Sequence, residues 1–141
     1  MESRDGPRRR WIEAAIAGHT GDVADIASEL WLPLAAQLTS LLGQGGVNSL
    51  YFRSLHLCRR TFPWLLAGDG SPFARFELAD LRASLASRSV AEANQALVAL
   101  LSTFTDVLAA VIGDALTDDI LRSSWGEPSN ESGANKEPAN A

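Results

Sequence analysis

The sequence has few of the residues that cross-link small proteins or bind metals: one cysteine, two histidines, one tyrosine and one lysine in 141 residues. With Cys58 alone the chain cannot form an internal disulfide. A chain of this length needs none, because it buries roughly 68% of its unfolded surface. His56 and Cys58 lie two residues apart, roughly 200° around a helix, so they cannot share one ion. Without a CxxC or HxxxH motif, we expect no metal, haem or other cofactor.

The sequence also lacks an uninterrupted apolar run long enough to span a membrane. The nearest candidate, residues 96–116, contains several polar residues and has its apolar side chains on one face, which predicts a core helix. The apolar stretch after Trp11 has only about five residues, too short for the hydrophobic region of a signal peptide. We therefore expect a cytoplasmic protein. Its many arginines and alanines and its single lysine suit a GC-rich bacterial genome.

No segment alternates apolar and polar residues in the manner of a β-strand. Apolar residues recur instead at steps of three and four. This periodicity predicts an all-α, single-domain bundle of about five helices over residues 11–126. Residues 1–10, with four arginines, are expected to form a disordered basic arm. Residues 127–141 have no large apolar side chain and are expected to form a disordered tail.

Glycine, proline and capping residues predict the ends of the first helices. A short helix is expected near residues 11–17, and a long amphipathic helix over residues 22–42. Pro33 lies inside the long helix on its polar face, where the carbonyl that it leaves unpaired can reach water. This favours one bent helix, with two helices broken at Leu32 as the alternative. A glycine-rich turn then leads to a helix over residues 47–62.

The last three helices are also marked by their ends. Ser71 with a following proline predicts a helix that runs to about residue 87, and Ser89 with Glu92 forms a capping box for the fourth helix. Gly113 closes that helix, and Asp114 is expected to cap the fifth, which Gly126 ends. The segments LLGQGGVNSLYFR and VIGDALTDDILR both contain an apolar pair, a glycine and a short helix carrying an arginine. Duplication of a structural unit and chance are the two alternative explanations for this similarity.

A row of basic residues is the most suggestive functional feature. Arg53, His56 and Arg60 follow one another at helical spacing, with Arg59 beside them, opposite the apolar face of the helix. In a chain of net charge -5, this local excess of positive charge predicts a docking face for an acidic protein partner or a phosphate-bearing group. The alternatives are a solvated face and pairing with acids of a neighbouring helix.

No motif specifies a reaction, so the leading hypothesis is a non-catalytic interaction or regulatory module. The alternative is a sensor domain that holds a small apolar or aromatic molecule between helices. Its ligand would contact the large aromatic side chains, which in bundles more often belong to the core: Trp31, Tyr51, Phe62, Trp64 and Phe104. An enzyme ranks third, because no GxSxG or comparable motif frames a nucleophile.

The remaining charged residues favour structural roles. Asp114 and Asp118 lie four apart and resemble a carboxylate pair, but acids in the first turn of a helix are expected for its dipole alone. Asp106 is expected on the solvent side of a core helix. The acidic body of the chain argues against nucleic acid as a partner. The wide apolar stripe of the fourth helix, including Val98, and the tryptophans near the chain ends slightly favour a homodimer over a monomer.

Overall fold

The computed structural model describes residues 5–19, 21–65 and 78–126. Within these ranges the chain forms five α-helices and no strand, which confirms the predicted all-α bundle. The predicted tail at residues 127–141 and the predicted helix start at Ser71 lie outside the described residues. The helices in chain order are α1 (Asp5–Ala17), α2 (Val23–Cys58), α3 (Leu78–Ala86), α4 (Val90–Ile112) and α5 (Asp114–Trp125).

The central helix of the bundle is α4, which contacts each of the other four helices. Its fully buried side chains include Leu97, Phe104 and Leu108. The helix is also long and apolar enough to cross a membrane, with a mean hydropathy of 1.8 in its most apolar window. Half of that window is buried inside the protein, and core helices pass the same test. The position of α4 agrees with the predicted core helix.

The first helix begins earlier than expected. Because α1 starts at Asp5, the prediction of a disordered arm is wrong for residues 5–10; residues 1–4 lie outside the described residues. The cause is a charge contact that local sequence does not show. The side chain of Arg8 is only 7% exposed, and it reaches carboxylates on two distant helices.

The Arg8 clamp, defined as Arg8 with Asp106, Asp114 and Asp118, fixes α1 on the bundle. The guanidinium donates to Asp114 at 2.9 Å, to Asp106 at 3.2 Å and to Asp118 at 3.5 Å. Burial alone would lower the pKa of Arg8, but the hydrogen bond to Asp114 and the charges of Asp118 and Asp114 together raise it. One permanently charged group therefore joins α1 to α4 and to α5.

The helix α2 reverses direction at Gly43, where the backbone has φ 78° and ψ 161°. Trp31 and Tyr51 are twenty residues apart and would be about 30 Å apart along a straight helix. Their ring centroids are 5.5 Å apart, so residues 44–58 fold back on residues 23–42. This agrees with the prediction of two helical segments separated by a glycine turn.

Gly113 makes the same kind of corner between α4 and α5, with φ 94° and ψ 157°. Asp106 and Asp118 lie on opposite sides of it, about 18 Å apart if the helix were straight. Both reach the guanidinium of Arg8, so the chain folds back here too. The two similar sequence segments, LLGQGGVNSLYFR and VIGDALTDDILR, thus have the same arrangement: a helix, a corner at a glycine and a second helix. Their origin by duplication stays a prediction.

The helix runs through Pro33, as the favoured prediction of one helix required, so the alternative of a break at Leu32 is wrong. Two other predicted details differ from the structure. The second segment ends at Cys58 rather than at residue 62, because Arg59 caps it and the next turn closes on the Cys58 carbonyl. Gly113, not Asp114, is the N-cap of α5.

The starts of α2 and α4 are capped by side chains. Ser89 accepts a hydrogen bond from the Glu92 backbone N–H at 3.2 Å, which confirms the predicted start of α4. The Glu92 carboxylate lies 3.4 Å from the Ser89 hydroxyl. Asp22 caps α2 in the same way by accepting from the Asp25 N–H at 2.9 Å.

Replacing Gly43 with alanine tests the corner in α2. The backbone angles at Gly43 fall in a region that is essentially confined to glycine, while an added Cβ would meet nothing within 4 Å. We expect Gly43→Ala to lower the free energy of unfolding by about 1–3 kcal/mol through backbone strain alone. Urea denaturation followed by circular dichroism measures the loss. The matched control is Gly45→Ala, at an exposed helical glycine with equal space, which should stabilise the protein by about 0.5–1 kcal/mol.

Replacing Arg8 with methionine tests the clamp. Methionine keeps much of the apolar stem but leaves three carboxylates without their shared cation. Because these acids are partly exposed, we expect a loss of about 2 kcal/mol, less than the 3–5 kcal/mol for breaking a buried pair. Hydrogen exchange should also become faster in the α1 amides. The exposed neighbour Arg9 provides the control, and an equal loss in Arg9→Met would contradict the clamp.

Candidate partner-binding surface

The second segment of α2, residues 44–58, has one buried and one basic face. Tyr51, Leu55 and Cys58 are buried in the core. Arg53 and His56 are exposed. Helical periodicity explains the division, because positions three and four apart share a face. The sequence pattern therefore located these two basic side chains correctly on the solvent side.

The basic row continues beyond the end of the helix. Arg59 is the C-cap of α2, and its Nη2 donates to the Pro63 carbonyl at 3.1 Å. Arg60 lies in the following turn and is exposed. The prediction that Arg53, His56 and Arg60 form one helix face is thus wrong for Arg60, because the helix ends at Cys58. These three residues and Arg59 lie within eight positions of one another and are all exposed.

These basic side chains form no ion pair with a carboxylate within the part of the chain that the structure describes. No ion pair there includes Arg53, His56, Arg59 or Arg60. By contrast, four other arginines pair with aspartate or glutamate: Arg8, Arg9, Arg82 and Arg122. The chain as a whole is acidic, with 17 carboxylates against 12 basic side chains. Among the described residues, basic side chains without an ion pair are therefore concentrated at the end of α2.

Two aromatic side chains follow immediately. Phe62 and Trp64 are half-buried, and their rings meet edge to face with centroids 5.9 Å apart. Arg88, which comes from the link between α3 and α4, places its guanidinium carbon 5.1 Å from the centre of the Trp64 ring. We call this set the cationic–aromatic surface: Arg53, His56, Arg59, Arg60, Phe62, Trp64 and Arg88.

The sequence did not indicate Arg88 as part of this surface. It is a single arginine before the capping box, and only the packing of α3 and α4 beside the turn brings it to Trp64. The predicted basic row therefore lies next to part of the predicted aromatic ligand site. Phe62 and Trp64, two of the five aromatic residues predicted to contact a ligand, follow the basic row directly along the chain.

The other three predicted ligand-contacting aromatics lie in the core. Trp31, Tyr51 and Phe104 are at most 4% exposed. Trp31 contacts both others edge to face, with centroids 5.5 Å from Tyr51 and 5.0 Å from Phe104. The five aromatics therefore occupy two environments rather than one. Mutual packing of the three buried rings accounts for their position without a ligand.

The surroundings of Cys58 also differ from those of His56. Cys58 is buried, and its thiol donates to the Thr103 hydroxyl at 3.5 Å. Burial raises the pKa of the thiol, although the hydrogen bond acts in the opposite direction. His56 is exposed on the other side of the helix. Within the described ranges, no group of three histidine, cysteine or acidic residues could hold a metal ion.

The predicted carboxylate pair, Asp114 and Asp118, does come together, with Asp106 as a third member. All three oxygens are directed at Arg8, so their arrangement serves the clamp. The prediction that the acids of α5 act only on the helix dipole is incomplete. These acids also pair with Arg8, which is 106 residues from Asp114 in the sequence.

Comparison with known proteins gives no relative to this chain. No protein family, no curated protein and no solved structure matches it. The functional proposal below therefore depends on the geometry of this chain alone.

Alkaline titration of Tyr51 tests the buried aromatic cluster. Burial, and then the negative charge of Asp80, raises the pKa of Tyr51 above its ordinary value of 10.0. Because the folded state resists loss of this proton, the contribution of Tyr51 to stability is fully present below pH 10 and is lost as the pH rises further. Tyr51 is the sole tyrosine, so phenolate absorbance reports it alone. We expect no phenolate until unfolding begins.

Tyr51→Phe is the control for this titration. Its free energy of unfolding should fall less steeply above pH 10 than that of the wild type, whatever its value at neutral pH. Cys58 remains in both proteins, so its own titration cancels in the comparison. A phenolate signal near pH 10 with native circular dichroism would contradict the buried position of the ring.

Proposed function

We propose that this protein is a non-catalytic interaction or regulatory module of a bacterial cytoplasm. It binds an acidic segment of a partner protein through the cationic–aromatic surface. The observation that carries the proposal is the group of exposed cations at the end of α2, which have no carboxylate partner among the described residues. The arginine-rich, lysine-poor composition supports the bacterial setting.

Arginine suits this role because its planar fork binds a carboxylate through two parallel hydrogen bonds. Each exposed pair contributes at most about 1 kcal/mol, so several neighbouring pairs are needed for useful affinity. Arg53, Arg59 and Arg60 supply such a group on a short stretch of chain. The same chemistry accepts a phosphate group, which keeps phosphorylated segments among the candidate partners.

The arrangement of reactive groups supports a non-catalytic role. The three clustered aspartates are occupied by Arg8, and the buried thiol of Cys58 has a raised pKa, which makes it a weak nucleophile. A sensor domain remains the alternative. It has less support because Trp31, Tyr51 and Phe104 are packed against one another in the core.

Self-association is a separate proposal. Trp11 and Val98, which suggested a homodimer, are both buried within the chain. Exposed apolar side chains remain near the two glycine corners, namely Leu41, Val111 and Leu116. Sedimentation at micromolar concentration distinguishes a dimer from a 15.1 kDa monomer.

Charge reversal tests the proposed surface. The probe is a fluorescent oligoglutamate peptide, with binding measured by anisotropy. We expect the double replacement Arg53→Glu and Arg60→Glu to abolish binding while helicity and Tm stay nearly unchanged, because both side chains are exposed. Binding to the wild type should weaken as salt is added, since screened charges carry the attraction.

The matched control reverses Arg9 and Arg10, two exposed residues of α1, and changes the net charge equally. It should retain binding. Equal loss in both double variants would mean that net charge alone determines binding. Unchanged binding in the Arg53 and Arg60 variant would refute the proposal, and loss of its fold would assign the basic row a structural role.

A further inference from the structure

We infer that the acidic segment recognised by this surface also carries a large apolar side chain, preferably aromatic. That side chain packs on Phe62 and Trp64 while neighbouring carboxylates pair with Arg59 and Arg88. The inference rests on the proposed function and specifies its ligand: an acidic–aromatic peptide rather than an anion alone.

The first argument is the hydrogen-bonded turn that carries the two aromatic side chains. The backbone N–H groups of Thr61 and Phe62 both donate to the Cys58 carbonyl, at 3.0 and 2.8 Å. The turn is anchored at its other end by Leu65, which is 1% exposed and donates its N–H to the Phe62 carbonyl. An aromatic surface fixed in this way loses little conformational entropy when a ligand packs on it.

The second argument is the position of the arginines around these rings. Arg59 is bound to the Pro63 carbonyl between the two aromatic residues. Arg88 lies over the ring of Trp64. A guanidinium placed over a ring keeps N–H donors at its edge for a carboxylate. The structure thus offers a partly exposed apolar contact with two guanidinium groups held next to it.

The third argument separates a peptide from a nucleic acid. Arg88 covers the Trp64 ring, and Phe62 contacts it edge to face, so the ring is not an open platform on which a base could stack. The chain also carries a net charge of -5, which opposes a long polyanion. A peptide side chain needs only the uncovered parts of Phe62 and Trp64.

The experiment compares two labelled oligoglutamate peptides of equal length and charge, one with a central phenylalanine and one with a central alanine. We expect the full-length protein to bind the phenylalanine peptide about tenfold more tightly. Phe62→Ala should remove this preference and leave affinity for the alanine peptide unchanged. Arg88→Gln should weaken both complexes. Trp125→Phe, a change at a half-buried aromatic residue of α5, is the control and should change neither.

The outcomes separate the inference from the function on which it rests. Equal affinity of the wild type for the two peptides would overturn the inference and leave the proposed function standing. Failure to bind either peptide would overturn the proposed function itself. Tighter binding of a single-stranded oligothymidylate, lost in Trp64→Ala, would replace the peptide with a nucleic acid. If Phe62→Ala does not fold, Phe62→Leu and the wild-type comparison decide the result.

Discussion

The guanidinium of Arg8 joins α1 to two helices that lie about a hundred residues further along the chain. Asp106 is 98 residues from Arg8, and Asp118 is 110 residues away. Because this arginine is nearly inaccessible to water, its charge is balanced only when α4 and α5 are both in place. The orientation of α5 then also depends on the corner at Gly113, which turns Asp114 and Asp118 toward the same cation. The helix α1 therefore packs correctly only when α4 and α5 have their final positions.

The described arginines differ in their surroundings. Arg8 has three carboxylate partners, whereas Arg53, Arg59 and Arg60 have none in the described ranges. In an acidic protein, internal partners for these three would be easy to provide. Among the described residues, several exposed arginines without an ion pair thus lie close together beside two half-buried aromatic rings, and this concentration of charge is the basis of the proposed partner-binding surface.

Much of the fold was predictable because it depends on local rules. Apolar periodicity identified the core faces of α2 and α4, and the cap at Ser89 marked the start of α4. The Arg8 clamp could not be predicted, since its carboxylates are distant in sequence and resemble ordinary helix-start acids. Arg88 was missed for the same reason. The end of α2 was placed too late because the sequence suggested that Pro63, rather than the turn at Arg59, stops the helix.

The long sequence separations within the Arg8 clamp impose an order on folding during synthesis. The helix α1 is translated before its three charge partners, which follow about a hundred residues later. Trp11, Ile12 and Ile16, which are buried in the finished protein, gain their full cover only after α4 has been translated, because α1 packs mainly on α4. Complete docking of α1 therefore waits for later parts of the chain. In the interval, its apolar face is open to chaperones and to other nascent chains.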